Sequence, residues 1–190
     1  MIDKNEFESI RKEIDDLEAK RELLIQKSRE IIKMSKQVIY AVHRDDIKSA
    51  LKAVEAIKRE KIGLEKLSKE DVGSDMGKVA MQEYVEALCY YEFVRNKKIP
   101  TRSDLKVSTE EYLMGLCDLT GELVRKAVAD VIRKRFKDAL IIKELVDGIY
   151  GEFLKFNLRN SELRKKSDSI KWNLTKLEDI IFDIKLKGKL

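Results

Sequence analysis

The sequence predicts an all-α fold: a single helical domain over residues 1–190, a bundle of about six to seven helices with a very long first one. Three observations carry this expectation. The 190 residues include one proline and eight glycines, so few positions break a helix. Charged residues make up 39% and apolar residues 43%, the balance of amphipathic helices rather than of buried strands. Apolar residues recur at three- and four-residue steps, with no convincing strand, internal repeat or low-complexity tract.

The first predicted helix runs to about Val42 without Gly or Pro. Ile10, Ile14, Leu17, Leu24, Ile31 and Val38 form a seam of coiled-coil type, interrupted by Arg21, Ser28 and Ser35. A helix of ~40 residues is ~60 Å long, so it is expected to pack on something beyond its own domain. A bend at His43–Asp46 leads to a second helix with Ile47, Leu51, Val54, Ile57 and Leu64 on one stripe. Gly73, Ser74 and Gly77 loosen the chain before a third helix, from about Met76 to Asn96. Its apolar content (Val79, Ala80, Val85, Leu88, Cys89, Phe93, Val94) predicts burial.

Residues 97–107 hold the only proline, Pro100, and read as the longest loop. Ser108 and Glu111 form a capping box that starts a fourth helix reaching about Arg135. A fifth helix turns Ile142, Leu145, Val146, Ile149, Phe153 and Phe156 inward. Asn160 or Ser161 caps a sixth, with Ile170, Leu174, Leu177, Ile181 and Ile184 on its inner face. Trp172 lies off that stripe and is a candidate anchor for a subunit contact.

Forty basic and thirty-five acidic side chains leave a net charge of +5. Residues 1–94 carry a net −2 and residues 95–190 a net +7, so a polyanion should prefer the second half. Two cysteines, Cys89 and Cys117, and no secretory apolar region point to a reducing cytoplasm. A His/Cys metal site is excluded by one histidine and two cysteines, and no apolar run approaches the ~18–20 residues that span a bilayer. The one histidine, His43, lies in a polar bend and reads as an exposed hinge residue rather than a catalytic base.

Acidic residues on otherwise apolar faces carry the chemistry. Glu83 and Glu86 stand three apart on the third helix, and Asp118 and Glu122 four apart on the fourth. Like charges so placed destabilise a helix, and burying them costs far more unless a cation compensates. Converging from two helices, they would form an oxygen-only cage suited to Mg²⁺ or Mn²⁺, a cation that serves phosphodiester hydrolysis. The competing reading is a solvated face, or ion pairs with Arg125, Lys126 or basic residues elsewhere. Gly121, inside the fourth helix, reads as a position of close helix packing.

Candidate nucleic-acid contacts are Arg95, Lys97 and Lys98 after the third helix, Arg125 and Lys126 beside the acidic pair, and Arg133, Lys134, Arg135 and Lys137. Arg164, Lys165 and Lys166 open the last helix. Tyr90, Tyr91 and Phe93 could stack bases, although aromatics at such spacing more often form core.

Two segments carry a resemblance. Gln82-Glu83-Tyr84-Val85-Glu86-Ala87 and Glu111 to Leu123 are similar to the third- and fourth-helix motifs of the translin family, in its factor X branch. The stretch from Leu163 through Glu178 is similar to the family's last helix. The likeness spans residues 30–188 and is sharp over 81–95 and 109–126. It implies an all-helical subunit of a closed octamer that encloses RNA, with Mg²⁺-dependent endoribonuclease activity. It also implies that Glu83, Glu86, Asp118 and Glu122 are the catalytic, metal-holding acids. No basic N-terminal extension is evident, and Val128–Lys137 lacks a nucleotide-binding-like stretch. Compactness and richness in Lys, Glu and Ile fit an archaeal stand-alone member that assembles with itself.

The expected function is therefore endoribonuclease cleavage of single-stranded or partly structured RNA, with single-stranded DNA a second candidate ligand, inside a homo-octameric shell. The rivals are a non-catalytic RNA- or DNA-binding scaffold and a helical assembly protein with ion-paired acids.

Overall fold

A computed structural model describes residues 2–68, 75–159 and 161–189. Seven helices are seen among them: α1 Lys4–His43, α2 Ile47–Ser68, α3 Met76–Asn96, α4 Arg102–Leu105, α5 Thr109–Ile132, α6 Phe136–Phe153 and α7 Glu162–Leu186. The expected loosening at Gly73 and Ser74, and the alternative cap Asn160, lie outside the described residues.

Local chemistry sets the boundaries. Asp3 caps α1 through the Asn5 amide, and Ser161 caps α7 through the Arg164 amide. Ser108 and Glu111 satisfy each other's backbone amides at the start of α5, as their spacing predicts. A second capping box, Thr101 with Asp104, folds one helical turn, α4, inside the segment expected to be loop. α5 stops at Ile132 rather than near Arg135, because Lys134 takes a left-handed backbone (φ 61°). Lys97 does the same at the end of α3 (φ 55°).

The packing order runs α2, α1, α3, α5, α7, with α6 set against both α5 and α7. The core lies along these interfaces and includes Ile31, Val38, Val85, Tyr90, Leu119, Leu123, Ile142 and Leu177. Leu24, Ser28, Ile31, Ser35 and Val38 of the α1 seam are buried. The earlier seam residues Ile10, Ile14 and Leu17 are exposed, together with Phe7. At 1.5 Å per residue, the exposed first half of α1 is a rod of roughly 30 Å. Phe156, expected to face inward, lies past the end of α6 and is exposed. Trp172 is 70% exposed on α7.

Close approach of α3 and α5 depends on a glycine, but not on Gly121. A Cβ at Gly121 would meet only the Asn173 amide, at 3.9 Å. At Gly115 it would lie 2.6 Å from the Val85 Cβ and 2.8 Å from the Gln82 carbonyl oxygen. The bare backbone at Gly115 therefore lets α5 lie against α3 where both acidic pairs begin.

Candidate functional site

Because α3 and α5 pack side by side, their acidic pairs fall at one place. Glu83, Glu86 and Glu122 line an open groove of about 870 Å³ between α1, α3 and α5. α1 supplies one wall: Arg29, Lys33, Lys36 and Tyr40 recur at three- and four-residue steps, and Arg125 adds a cation from α5. Asp118, one turn before Glu122, is near enough to raise the proton affinity of both α3 acids.

The two helices hold their acids differently. On α5, Lys166 of α7 donates to Asp118 Oδ2 at 2.5 Å. Glu122 Oε2 pairs with His43 Nε2 and lies 3.7 Å from the Arg125 guanidinium. On α3, neither Glu83 nor Glu86 has a hydrogen bond or salt bridge among the described residues, and Glu86 is only 9% exposed.

The proton affinities follow. Burial pushes the Glu86 carboxyl up to about 8, with Asp118, Glu83 and Glu122 adding to the rise and Lys166 opposing it. Burial also raises Glu83, opposed mainly by Lys36. Asp118 is raised by burial despite its Lys166 partner. Glu122 alone of the four is lowered, chiefly by its hydrogen bond with His43.

A buried, unpaired carboxylate among three others is electrostatically short of a cation. The donor set, all oxygen and all anionic, fits a hard divalent ion such as Mg²⁺ or Mn²⁺. As placed, no three His, Cys, Asp or Glu side chains among the described residues form a metal-binding group. Lys166 and His43 hold the two α5 acids toward α7 and α1 respectively.

His43 is thus not the exposed hinge that its polar neighbours suggested. It ends α1, its side chain is 7% exposed, and its Nδ1 lies 3.0 Å from the Tyr90 hydroxyl. The ring stacks obliquely on Tyr90, centroid to centroid 4.9 Å. No local pattern could show this, because its partners are contributed by other helices.

The basic candidates divide. Arg125 lines the groove. Lys126 does not, since it is buried and bonded to Asp130 at 2.6 Å; an apolar turn on either side was the signal. Arg133 and Arg135 are both paired with Asp45, and Arg135 also with Asp130, which ties the α1–α2 turn to the end of α5. Lys134 and Lys137 are exposed at that same far end. At the end of α3, Arg95 bonds the Tyr91 hydroxyl, Lys97 pairs with Asp138, and Lys98 lines a separate groove beside Pro100. Tyr90, Tyr91 and Phe93 are core residues, so base stacking by them is ruled out; the exposed aromatic at the groove is Tyr40, 58% exposed. The cations of α1 escaped sequence reasoning, although the spacing of Arg29, Lys33, Lys36 and Tyr40 was a visible stripe.

Fold and site together define a class: an all-helical protein whose carboxylate groove carries a cationic rim. The chain matches the Translin family over residues 19–188 and belongs to that family. Translin-associated protein X of Rattus norvegicus is similar, 27% identical over 231 residues, covering 96% of this chain and 78% of the relative. The solved structure of apo-NeC3PO is similar at a TM-score of 0.87 and 32% identity, covering 93% of this chain and 95% of that one. AfC3PO in complex with duplex RNA is similar at a TM-score of 0.85 and 26% identity, covering 96% and 97%. Among the described residues no helix is long and apolar enough to cross a membrane.

Proposed function

We propose that this chain binds RNA in the groove between α1, α3 and α5 and hydrolyses its phosphodiester bonds with Mg²⁺ or Mn²⁺, within an assembly of like chains. The observation that carries this reading is Glu86: a buried carboxylate with no hydrogen bond or ion pair among the described residues, beside three further acids and under a cationic rim. A protein that only bound RNA would gain nothing by setting four carboxylates before a polyanion. RNA as the ligand is supported by AfC3PO, a similar protein solved with duplex RNA.

Each group then has a task. Arg29, Lys33, Lys36 and Arg125 hold backbone phosphates without reading sequence. Tyr40 offers a ring to an unpaired base. Glu83, Glu86, Asp118 and Glu122 would hold the cation, with Lys166 and His43 fixing the two acids of α5. When bound, a divalent cation polarises a phosphoryl oxygen and offsets the charge that develops at phosphorus. The exposed seam of α1 and Trp172 are apolar surfaces that can meet neighbouring copies, with a closed homo-octamer as the expected assembly.

The test is cleavage of a labelled RNA by the unaltered chain and by Glu83→Ala and Asp118→Ala, in Mg²⁺ and in EDTA. Cleavage that needs Mg²⁺ and both acids supports the reading. Undiminished cleavage in either variant, or in EDTA, overturns the metal mechanism, and tight binding with no cleavage under any condition leaves a binding scaffold.

A further inference from the structure

We propose that His43, locked by Tyr90, is a positioning residue for Glu122: it occupies one carboxylate oxygen and leaves the other as the ligand offered to a cation in the groove. The inference rests on the reading of the groove as a metal site. It goes beyond that reading by giving a role to a residue outside the acidic set.

Three helices contribute to the arrangement. His43 ends α1, Tyr90 lies in the middle of α3, and Glu122 lies in the middle of α5. Both ring nitrogens are engaged, Nε2 with Glu122 Oε2 and Nδ1 with the Tyr90 hydroxyl at 3.0 Å. An ionised carboxylate can only accept, so Nε2 carries the proton and donates it. In the neutral ring the Tyr90 hydroxyl donates to Nδ1, and in the charged ring Nδ1 donates to the Tyr90 oxygen; either way all three groups are satisfied. Rotating the imidazole would break both bonds inside a packed core, where the Tyr90 ring is fully buried.

Both recorded partners of Glu122 take the same oxygen. His43 bonds Oε2, and the Arg125 guanidinium approaches Oε2 at 3.7 Å. Oε1 has no partner among the described residues, and Glu122 lines the groove. Lys166 treats Asp118 in the same way, engaging Oδ2 and leaving Oδ1. The α5 acids are each held by one oxygen, whereas Glu83 and Glu86 have no hydrogen bond or ion pair among the described residues. Outer hydrogen bonds of this kind fix a ligand's orientation, and losing one costs roughly tenfold to hundredfold in metal affinity or activity.

The experiment compares the unaltered chain with His43→Ala, His43→Gln and Tyr90→Phe. Mn²⁺ affinity is measured by calorimetry without RNA, kcat and KM with RNA, and each variant's melting without metal. His43→Ala is expected to weaken Mn²⁺ binding roughly tenfold to hundredfold and to lower kcat at unchanged KM. His43→Gln, whose amide nitrogen can donate to Glu122, should regain most of both. Tyr90→Phe keeps the ring and loses the orienting hydroxyl, so it should fall between, and it carries the test if His43→Ala does not fold. Mn²⁺ affinity unchanged in His43→Ala, or a loss that His43→Gln does not recover, overturns the role of His43 alone. An unaltered chain that takes up no Mn²⁺ overturns the metal reading and this inference with it.

Discussion

Gly115 of α5 rests against Val85 of α3 so closely that a methyl group at Gly115 would lie 2.6 Å from the Val85 Cβ. Real carbons do not approach to that distance, and the third neighbour is a rigid backbone carbonyl, that of Gln82, which cannot swing aside. Glu83 and Glu86 flank Val85, and Asp118 follows Gly115 by one turn, so this contact sets the distance between the two acidic pairs. Gly115→Ala is expected to force the helices apart and to lower stability by about 1–3 kcal/mol, read as a fall in denaturation midpoint. Gly121→Ala, with only ordinary contact to meet, should be neutral or slightly stabilising through helix propensity.

Glu86 makes stability depend on pH in an unusual direction. Its carboxyl is raised to about 8 by burial and by Asp118, Glu83 and Glu122, with Lys166 opposing, so the folded state holds a proton that the unfolded chain releases near 4.5. Stability from this group is complete below pH 4.5 and is lost as pH rises toward 8. Glu86→Gln should therefore stabilise the metal-free protein at pH 9 by on the order of 5 kcal/mol and change little at pH 4. Thermal melts of both proteins across that range check the sign. A melting gain that does not grow with pH contradicts the assignment.

The RNA contacts should lie on α1, not at the far end of α5. Lys33→Met and Lys36→Met are expected to weaken RNA binding and to flatten its dependence on salt, by about one charge each. Lys137→Met, exposed beyond the end of α5, should leave both unchanged. Tyr40→Ala should cost about 1–3 kcal/mol on a single-stranded RNA if a base stacks there. Binding isotherms over a salt series separate these outcomes.

The exposed half of α1 predicts assembly. Ile14→Glu with Leu17→Glu places charge on a seam that no described part of the same chain covers. Sedimentation should show a smaller species with unchanged helicity. An unchanged assembly would place the subunit contacts elsewhere.

Much of this architecture could be read from periodicity and capping. Ser108 with Glu111 announced the start of α5, and the seam of α1 announced its length, because both signals are local. The end of α5 was misplaced for a local reason too: a left-handed turn was made by Lys134, where glycine would have been the usual marker. The four acids stand out in the sequence because carboxylates on apolar helix faces are costly wherever they lie. His43, Lys166 and the α1 cations were missed as site residues, or left among surface charges, because helical spacing tells which face a residue occupies and not which helix faces it. Lys126 reads as an RNA contact from its place beside the acidic pair, yet it sits on the buried side of α5; Tyr90 lies in the core, as aromatics at its spacing more often do. Gly121 drew attention by lying between Asp118 and Glu122, while the close approach occurs at Gly115.

Cleavage requires that Glu86 act as an acid for a cation rather than as a structural oddity. The direct measurement is RNA binding and RNA cleavage, side by side, for the unaltered chain and for Glu86→Gln, each in Mg²⁺ and in EDTA. Glu86→Gln is expected to fold, to bind RNA at least as tightly as the unaltered chain, and to cleave it about a hundredfold more slowly or worse, since losing even an outer partner of a metal ligand costs up to about that much. Equal cleavage by the two proteins in Mg²⁺, or cleavage by the unaltered chain that persists in EDTA, would contradict this role of Glu86.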